Sequence, residues 1–173
     1  MRWANGLNGV AVALAMMCVG MAEAAPLVAP GGLLDPAFPD ADVYIGTPES
    51  PSVPPGKACE VAARYVELVN AGKYADVAAL YADDASFLEP MRPNLQGREE
   101  IDNFYIKRIG SMAPEVMAVA WFGNETECVV DLALKTKINE EDRWVLVSVD
   151  HFIVGPDGKI KSMTAFARPT RST

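Results

Sequence analysis

From residue 58 onward the apolar positions follow first a helical and then an alternating rhythm. Val61, Tyr65, Leu68 and Val69 recur at helical spacing, and Asn70-Ala71-Gly72 closes that helix with a glycine that tolerates a left-handed turn. Residues 73–81 predict a second, short helix with Val77, Leu80 and Tyr81 on its apolar side. A short strand at 85–89 stops at Pro90, residues 91–96 read as loop, and 98–109 form a third helix with Ile101, Phe104, Tyr105 and Ile109 facing inward. After Pro114 the pattern is all strand: 116–122, 126–138, 143–154 and 159–167. Gly123-Asn124, the run 139–142 and Gly155-Pro156-Asp157-Gly158 supply the turns. Helices first and strands after predict an α+β fold, with three N-terminal helices packed on one curved antiparallel sheet. Such a cone has an apolar mouth, which suits a small apolar ligand.

The first 56 residues behave differently. Arg2, an apolar run from Val10 to Met21 and the small residues of Ala22-Glu23-Ala24 predict a signal peptide over 1–24, hence export. The run is too short for a lasting membrane span. Residues 25–56 hold eight of the 13 prolines and no Lys or Arg, so they read as a flexible arm, an extended linker or one loosely docked, and not as part of the fold. The globular domain is then 57–169. Without the leader two cysteines remain, Cys59 and Cys128. They could pair, or each could be a small buried apolar residue; the reading favours two free thiols.

Composition narrows the function classes. The chain of 173 residues carries a net charge of −8, which argues against nucleic acid or an anionic membrane as partner. A single histidine, His151, excludes zinc sites built on several histidines. Asp150 is the most informative residue, because it sits within Val147-Ser148-Val149-Asp150-His151-Phe152-Ile153-Val154. Strict alternation groups it with Leu146, Phe152 and Val154; if that face lines a pocket, ionising the carboxyl is costly and its pKa rises. Glu89 groups with Ala85 and Phe87 at the end of its strand, a reasonable place for a general base. Tyr65, Tyr81 and Tyr105 bring three phenols to the inward faces of the helices, where their hydroxyls need partners. Alternation turns His151 to the opposite face from Asp150, without a role.

These pieces together resemble the bacterial ketosteroid isomerases of the nuclear-transport-factor-2-like (SnoaL-like) superfamily. The likeness runs from about Ala58 to Ala167 and rests on Arg64-Tyr65-Val66, Asn70-Ala71-Gly72, Ala79-Leu80-Tyr81-Ala82-Asp83-Asp84-Ala85, Glu89-Pro90, Phe104-Tyr105 and, most specifically, Val149-Asp150-His151-Phe152. The resemblance implies Tyr65 and Asp150 as oxyanion-hole donors, Tyr81 and Tyr105 as their support, and Phe87, Phe104 and Phe152 around the substrate. It implies no metal or organic cofactor, a small apolar ketone or steroid as substrate, and a homodimer. One departure stands at the base: the family has an aspartate before the proline, where this chain has Glu89. On the same fold a non-catalytic carrier of apolar ligands, a polyketide cyclase or a dehydratase are the rivals.

Overall fold

The structure, a computed structural model, describes residues 28–29, 31–90 and 93–168. The signal-peptide segment falls outside the described residues. Helix α1 (Lys57–Asn70) buries Ala58, Cys59, Ala62, Tyr65, Leu68 and Val69, so its apolar stripe is the one its spacing predicts. The short α2 (Tyr74–Ala79) and α3 (Arg98–Phe104) follow, and α3 continues as a π-helical turn over Tyr105–Ile109. The strands are β3 (Tyr81–Leu88), β4 (Leu95–Gln96), β5 (Val116–Gly123), β6 (Glu127–Ile138), β7 (Glu141–Val154) and β8 (Ile160–Ala167), preceded by the two-residue pair β1 (Val28–Ala29) and β2 (Gly32–Leu33). Among the described residues no helix is long and apolar enough to cross a membrane.

The main sheet has the order β4-β3-β8-β7-β6-β5, with the helices on its inner face. It is mixed and not closed. β3 runs parallel to β8, which corrects the expected all-antiparallel sheet. Tyr81 also changes element: it opens β3 and does not end α2, yet its side chain still points into the core, fully buried. Asn70 joins α1 to the sheet by imitating a strand. Its amide donates to the Val116 carbonyl and accepts from the Val116 N–H, both at 2.8 Å.

Two slips of register decide which side chains face inward. On β7, Leu132 of β6 pairs with Ser148 but Ala133 pairs with Leu146, so Val147 is an extra residue. Trp144 and Leu146 therefore lie on the outer face, while Phe152 and Val154 lie in the helix-side core. This corrects the grouping of Asp150 with Leu146: uninterrupted alternation fails at the bulge. On β5 the slip lies at Val119, between Ala118↔Leu132 and Ala120↔Asp131. Ala118 and Trp121 consequently both pack inward, three residues apart.

The expectation that the proline-rich segment stays outside the fold is corrected for its described residues. β8 pairs only with Ser148–Val154 of β7, which leaves the first half of β7 open on that side. Residues 42–44 fill it. The Tyr44 N–H donates to the Trp144 carbonyl at 2.8 Å and the Leu146 N–H donates to the Asp42 carbonyl at 2.9 Å. Val43 and Tyr44 are fully buried, and Tyr44 completes an outer-face cluster with Ala29, Val119, Ala133, Trp144 and Leu146. Arg168 holds the segment down, with one guanidinium nitrogen 3.0 Å from Asp42 and another 2.8 Å from Asp131. Backbone pairing offsets the ordering cost that the proline content alone leaves uncompensated.

Cys59 and Cys128 form a disulfide, correcting the expectation of free thiols. The first turn of α1 rests over the start of β6, and the two Cα atoms are 5.0 Å apart. Nothing in a separation of 69 residues conveys that proximity. Gly123 lies against the bond, and a Cβ there would collide with the Cys59 sulfur. Replacing both cysteines by serine is expected to cost about 2–5 kcal/mol of unfolding free energy, since a long loop is released in the unfolded chain. Urea denaturation of the double variant checks this, and an unchanged midpoint and slope would refute it.

Candidate active site

Tyr65 comes from the middle of α1, Tyr81 from the start of β3 and Tyr105 from the π turn after α3. Their hydroxyls form a chain. Tyr81 and Tyr105 oxygens are 3.0 Å apart, and the Tyr105 hydroxyl donates to the Tyr65 oxygen at 3.2 Å. The Met163 sulfur lies 2.8 Å from the Tyr81 hydroxyl. Tyr105 gives its hydrogen to Tyr65, and the single hydroxyl hydrogen of Tyr81 faces both the Met163 sulfur and the Tyr105 oxygen. The Tyr65 hydrogen is left over, so the chain ends in a donor polarised by Tyr105 behind it. Burial pushes all three phenols well above their ordinary pKa, so each stays protonated and able to donate. For Tyr65 the negative charge of Asp150 adds to that shift, while the hydrogen bond from Tyr105 opposes it.

Asp150 lies beside Tyr65 on the sheet. Phe152, two residues further along the same inner face, packs edge-on against the Tyr65 ring at 5.2 Å between centroids. Asp150 is 3% exposed, and its Oδ1 is inaccessible with no hydrogen-bond partner. Burial is the main cause that pushes its pKa up to about 7; Ser148 hydrogen bonding opposes this and the charge of Asp131 adds to it. Phe87 and Phe104 complete an aromatic wall, 5.3 Å apart, with Phe87 stacked at 6.2 Å on Tyr105.

Glu89 follows Leu88, whose partner on β8 is Thr164, so the parallel register sets Glu89 beside Ala165. Ala165 in turn pairs with Asp150. Glu89 Oε2 is inaccessible and unpartnered. On the other side of Asp150 the register runs to Val130 and then Trp121, whose indole nitrogen is also buried without a partner. One rung of the sheet thus reads Trp121, Val130, Asp150, Ala165, Glu89, with three unsatisfied polar groups on its inner side. Strands are about 4.8 Å apart, so roughly 10 Å of backbone separates Asp150 from each neighbour in this set. Ala165 is the residue between Asp150 and Glu89 on the rung. The other two unpartnered buried side-chain atoms among the described residues, Asp131 Oδ1 and Arg168 Nε, belong to the outer-face ion pair.

Helical spacing signalled Tyr65, and alternation with apolar surroundings signalled Glu89 and Asp150; the structure buries Tyr65 and Asp150 and leaves one Glu89 oxygen inaccessible. Trp121 and Met163 escaped notice. A bulge conceals the facing of Trp121, and a methionine in a strand reads as ordinary core. His151 faces outward, 3.1 Å from Glu127. A surface cleft of about 520 Å³, lined by α2 and α3 residues such as Ala78, Arg98 and Asp102, lies apart from this rung. Among the described residues no cluster of His, Cys, Asp and Glu is arranged to hold a metal ion.

Residues 62–163 match the SnoaL-like domain family. The chain belongs to it. A curated relative, the steroid Δ-isomerase of Nocardioides simplex, is 32% identical over 109 residues, covering 62% of this chain and 86% of the relative. Two solved structures share the fold at lower identity. An epoxide hydrolase/cyclase-like enzyme of pyran ring formation in polyether salinomycin gives a TM-score of 0.56 at 21% identity, covering 66% of this chain and 92% of its own. A Mycobacterium tuberculosis protein solved in complex with estradiol-17β-hemisuccinate gives 0.55 at 19%, covering 65% and 94%. At that identity the likeness concerns the fold. The SnoaL-like cone accounts for the helices on one face of a strongly curved sheet.

Burial of Asp150 has a consequence for stability. An unfolded aspartate titrates near 4, whereas the folded one does so at about 7. Between these values the folded chain holds a proton that the unfolded chain gives up. Its contribution is therefore full below about pH 4, declines by up to about 1.4 kcal/mol per pH unit, and is lost once pH passes about 7. Urea denaturation of wild type and Asp150→Asn between about pH 5 and pH 8 checks this. Wild type is expected to lose stability relative to the variant up to about pH 7, and parallel curves would contradict the burial argument.

Proposed function

We propose that this protein is an isomerase that moves a C=C bond into conjugation with a ketone in a small apolar substrate, of the 3-oxo-Δ5 to 3-oxo-Δ4 steroid type. The observation that carries the reading is one inaccessible, unpartnered oxygen on each of Glu89 and Asp150, with Tyr65 near enough to Asp150 for the charge of the carboxylate to act on the phenol. Glu89 removes a proton from the carbon between ketone and alkene. The electron pair of that C–H bond moves into the conjugated system and charge collects on the ketone oxygen. Tyr65 and protonated Asp150 each donate a hydrogen bond to that oxygen, a neutral acid serving as donor because its site is apolar, as in ketosteroid isomerases generally. Glu89 then returns the same proton at the far end of the dienolate, so no atom is gained or lost. The identity to a steroid Δ-isomerase supports this reading.

A second reading is ring closure, in which the same base and donors form an enolate that attacks an electrophile within the ligand. Trp121 favours it, since its unpaired indole N–H is a donor beyond the two that the enolate oxygen uses. The buried disulfide supports export, because such bonds persist in oxidising compartments. Mass spectrometry of protein from an exporting host is expected to show a mature chain beginning near Ala25; a chain retaining Met1 would contradict it.

Incubation with 5-androstene-3,17-dione, followed by absorbance of the conjugated enone, tests the reaction. Glu89→Gln is expected to lower kcat by about 100-fold to 10,000-fold while ligand binding persists. Asp150→Asn keeps a neutral donor and is expected to lose less. Activity should fall as pH rises through about 7, because Asp150 there surrenders the proton it donates. Equal turnover by wild type and Glu89→Gln would remove Glu89 from the mechanism. Binding without turnover in either protein would identify a carrier.

A further inference from the structure

Trp121 is on the inner face because of a single extra residue. Without the slip at Val119, alternation from the inward Ala118 would turn Trp121 outward and Phe122 inward. Instead Trp121 packs against the helix-side core and Phe122 is 68% exposed. A bulge costs ladder pairing and serves to re-aim a side chain. The group it aims inward carries a donor that nothing among the described residues satisfies. An indole nitrogen can only donate, and leaving it buried and unpaired is costly.

The rung gives that donor a direction relative to the chemistry. Asp150 stands two strands from Glu89 on one side and two strands from Trp121 on the other. Trp121 packs against the same helix-side core that Tyr65 and Phe152 belong to. Val130 and Ala165, the residues between, contribute only apolar groups to the rung.

We propose that Trp121 is a substrate-binding residue, whose indole N–H holds a second acceptor oxygen of the substrate on the side of the ketone away from the carbon that Glu89 deprotonates. This rests on the reading above only in placing an oxygen at Tyr65 and Asp150. The substrate class narrows accordingly. It is an apolar ketone bearing a further carbonyl or ether oxygen, and not a hydrocarbon skeleton with one oxygen. A hydroxyl whose only available role is to donate fits less well, because the indole cannot accept.

Binding by naphthols tests this without turnover, since a naphthol oxygen takes the place of the dienolate oxygen. The probes are 2-naphthol and its 3-methoxy and 7-methoxy derivatives, which add an acceptor and no donor. Wild type is expected to bind at least one methoxy derivative about ten-fold more tightly than 2-naphthol, as one satisfied buried donor warrants. Trp121→Phe should abolish that gain and leave 2-naphthol affinity within about two-fold. An equal loss for all three probes would make Trp121 a packing residue and overturn the proposal. So would the absence of any methoxy gain in wild type, or a gain that survives in Trp121→Phe.

Indole N–H spectra of nitrogen-15-labelled wild type answer the same question without a variant. The Trp121 signal should move downfield with the favoured methoxy derivative and stay in place with 2-naphthol; a signal indifferent to the methoxy group overturns the proposal. Tight, Trp121-dependent binding together with no isomerisation of 5-androstene-3,17-dione would sink the isomerase reading alone. Isomerisation with methoxy-indifferent binding would sink this one alone, and failure of every naphthol to bind wild type would sink both.

Discussion

The constraint on which the rest of this molecule turns is the desolvation of one carboxyl. Asp150 sits among aromatic rings in the inner face of a sheet, where ionisation has little water to support it. Everything around it is arranged for a neutral acid. The tyrosine chain delivers a donor to the same neighbourhood without adding a positive charge, which would have drawn the proton off the carboxyl. The opposing carboxyl is kept one strand further away than direct pairing would allow, with an alanine between them. Two acids thus stand on one rung of the sheet without direct pairing.

Such precision depends on side-chain facing, and facing here depends on irregularity. The extra residue at Val147 turns Asp150 inward after Leu146 has pointed outward, and the one at Val119 does the same for Trp121. Both lie a few residues before the group they aim. The regular stretches that follow each bulge carry the polar group and its apolar neighbours on a common face. A sheet that bends around its helices needs such insertions in any case; here the bends and the aim coincide.

Much of this was legible in the residues. The helical stripe of α1, the four long C-terminal strands and the alternation around Phe87 and Phe152 are local patterns, and local patterns survive folding. Asp150 announced itself by being charged among apolar neighbours, although the face it shares with Phe152 is not the face of Leu146. What stayed hidden was non-local. The parallel pairing of β3 with β8 joins residues about 80 apart, and the disulfide joins two that no periodicity relates. The docking of residues 42–44 was hidden for another reason: a proline-rich, uncharged segment has no amphipathic rhythm, and its partner is a gap left by a strand that stops short.

That docked segment bears on what the chain becomes if it is cut. Half of β7 would be left with a row of free N–H and C=O groups, flanked by the bared indole of Trp144 and the side chain of Leu146. An exposed strand border next to an apolar patch is a template for adding a strand from another molecule. A protease that clips the chain between Tyr44 and α1 would therefore leave every residue of the inner rung intact and still yield a self-associating particle. In this architecture colloidal solubility and the inner rung are guarded by different parts of the chain.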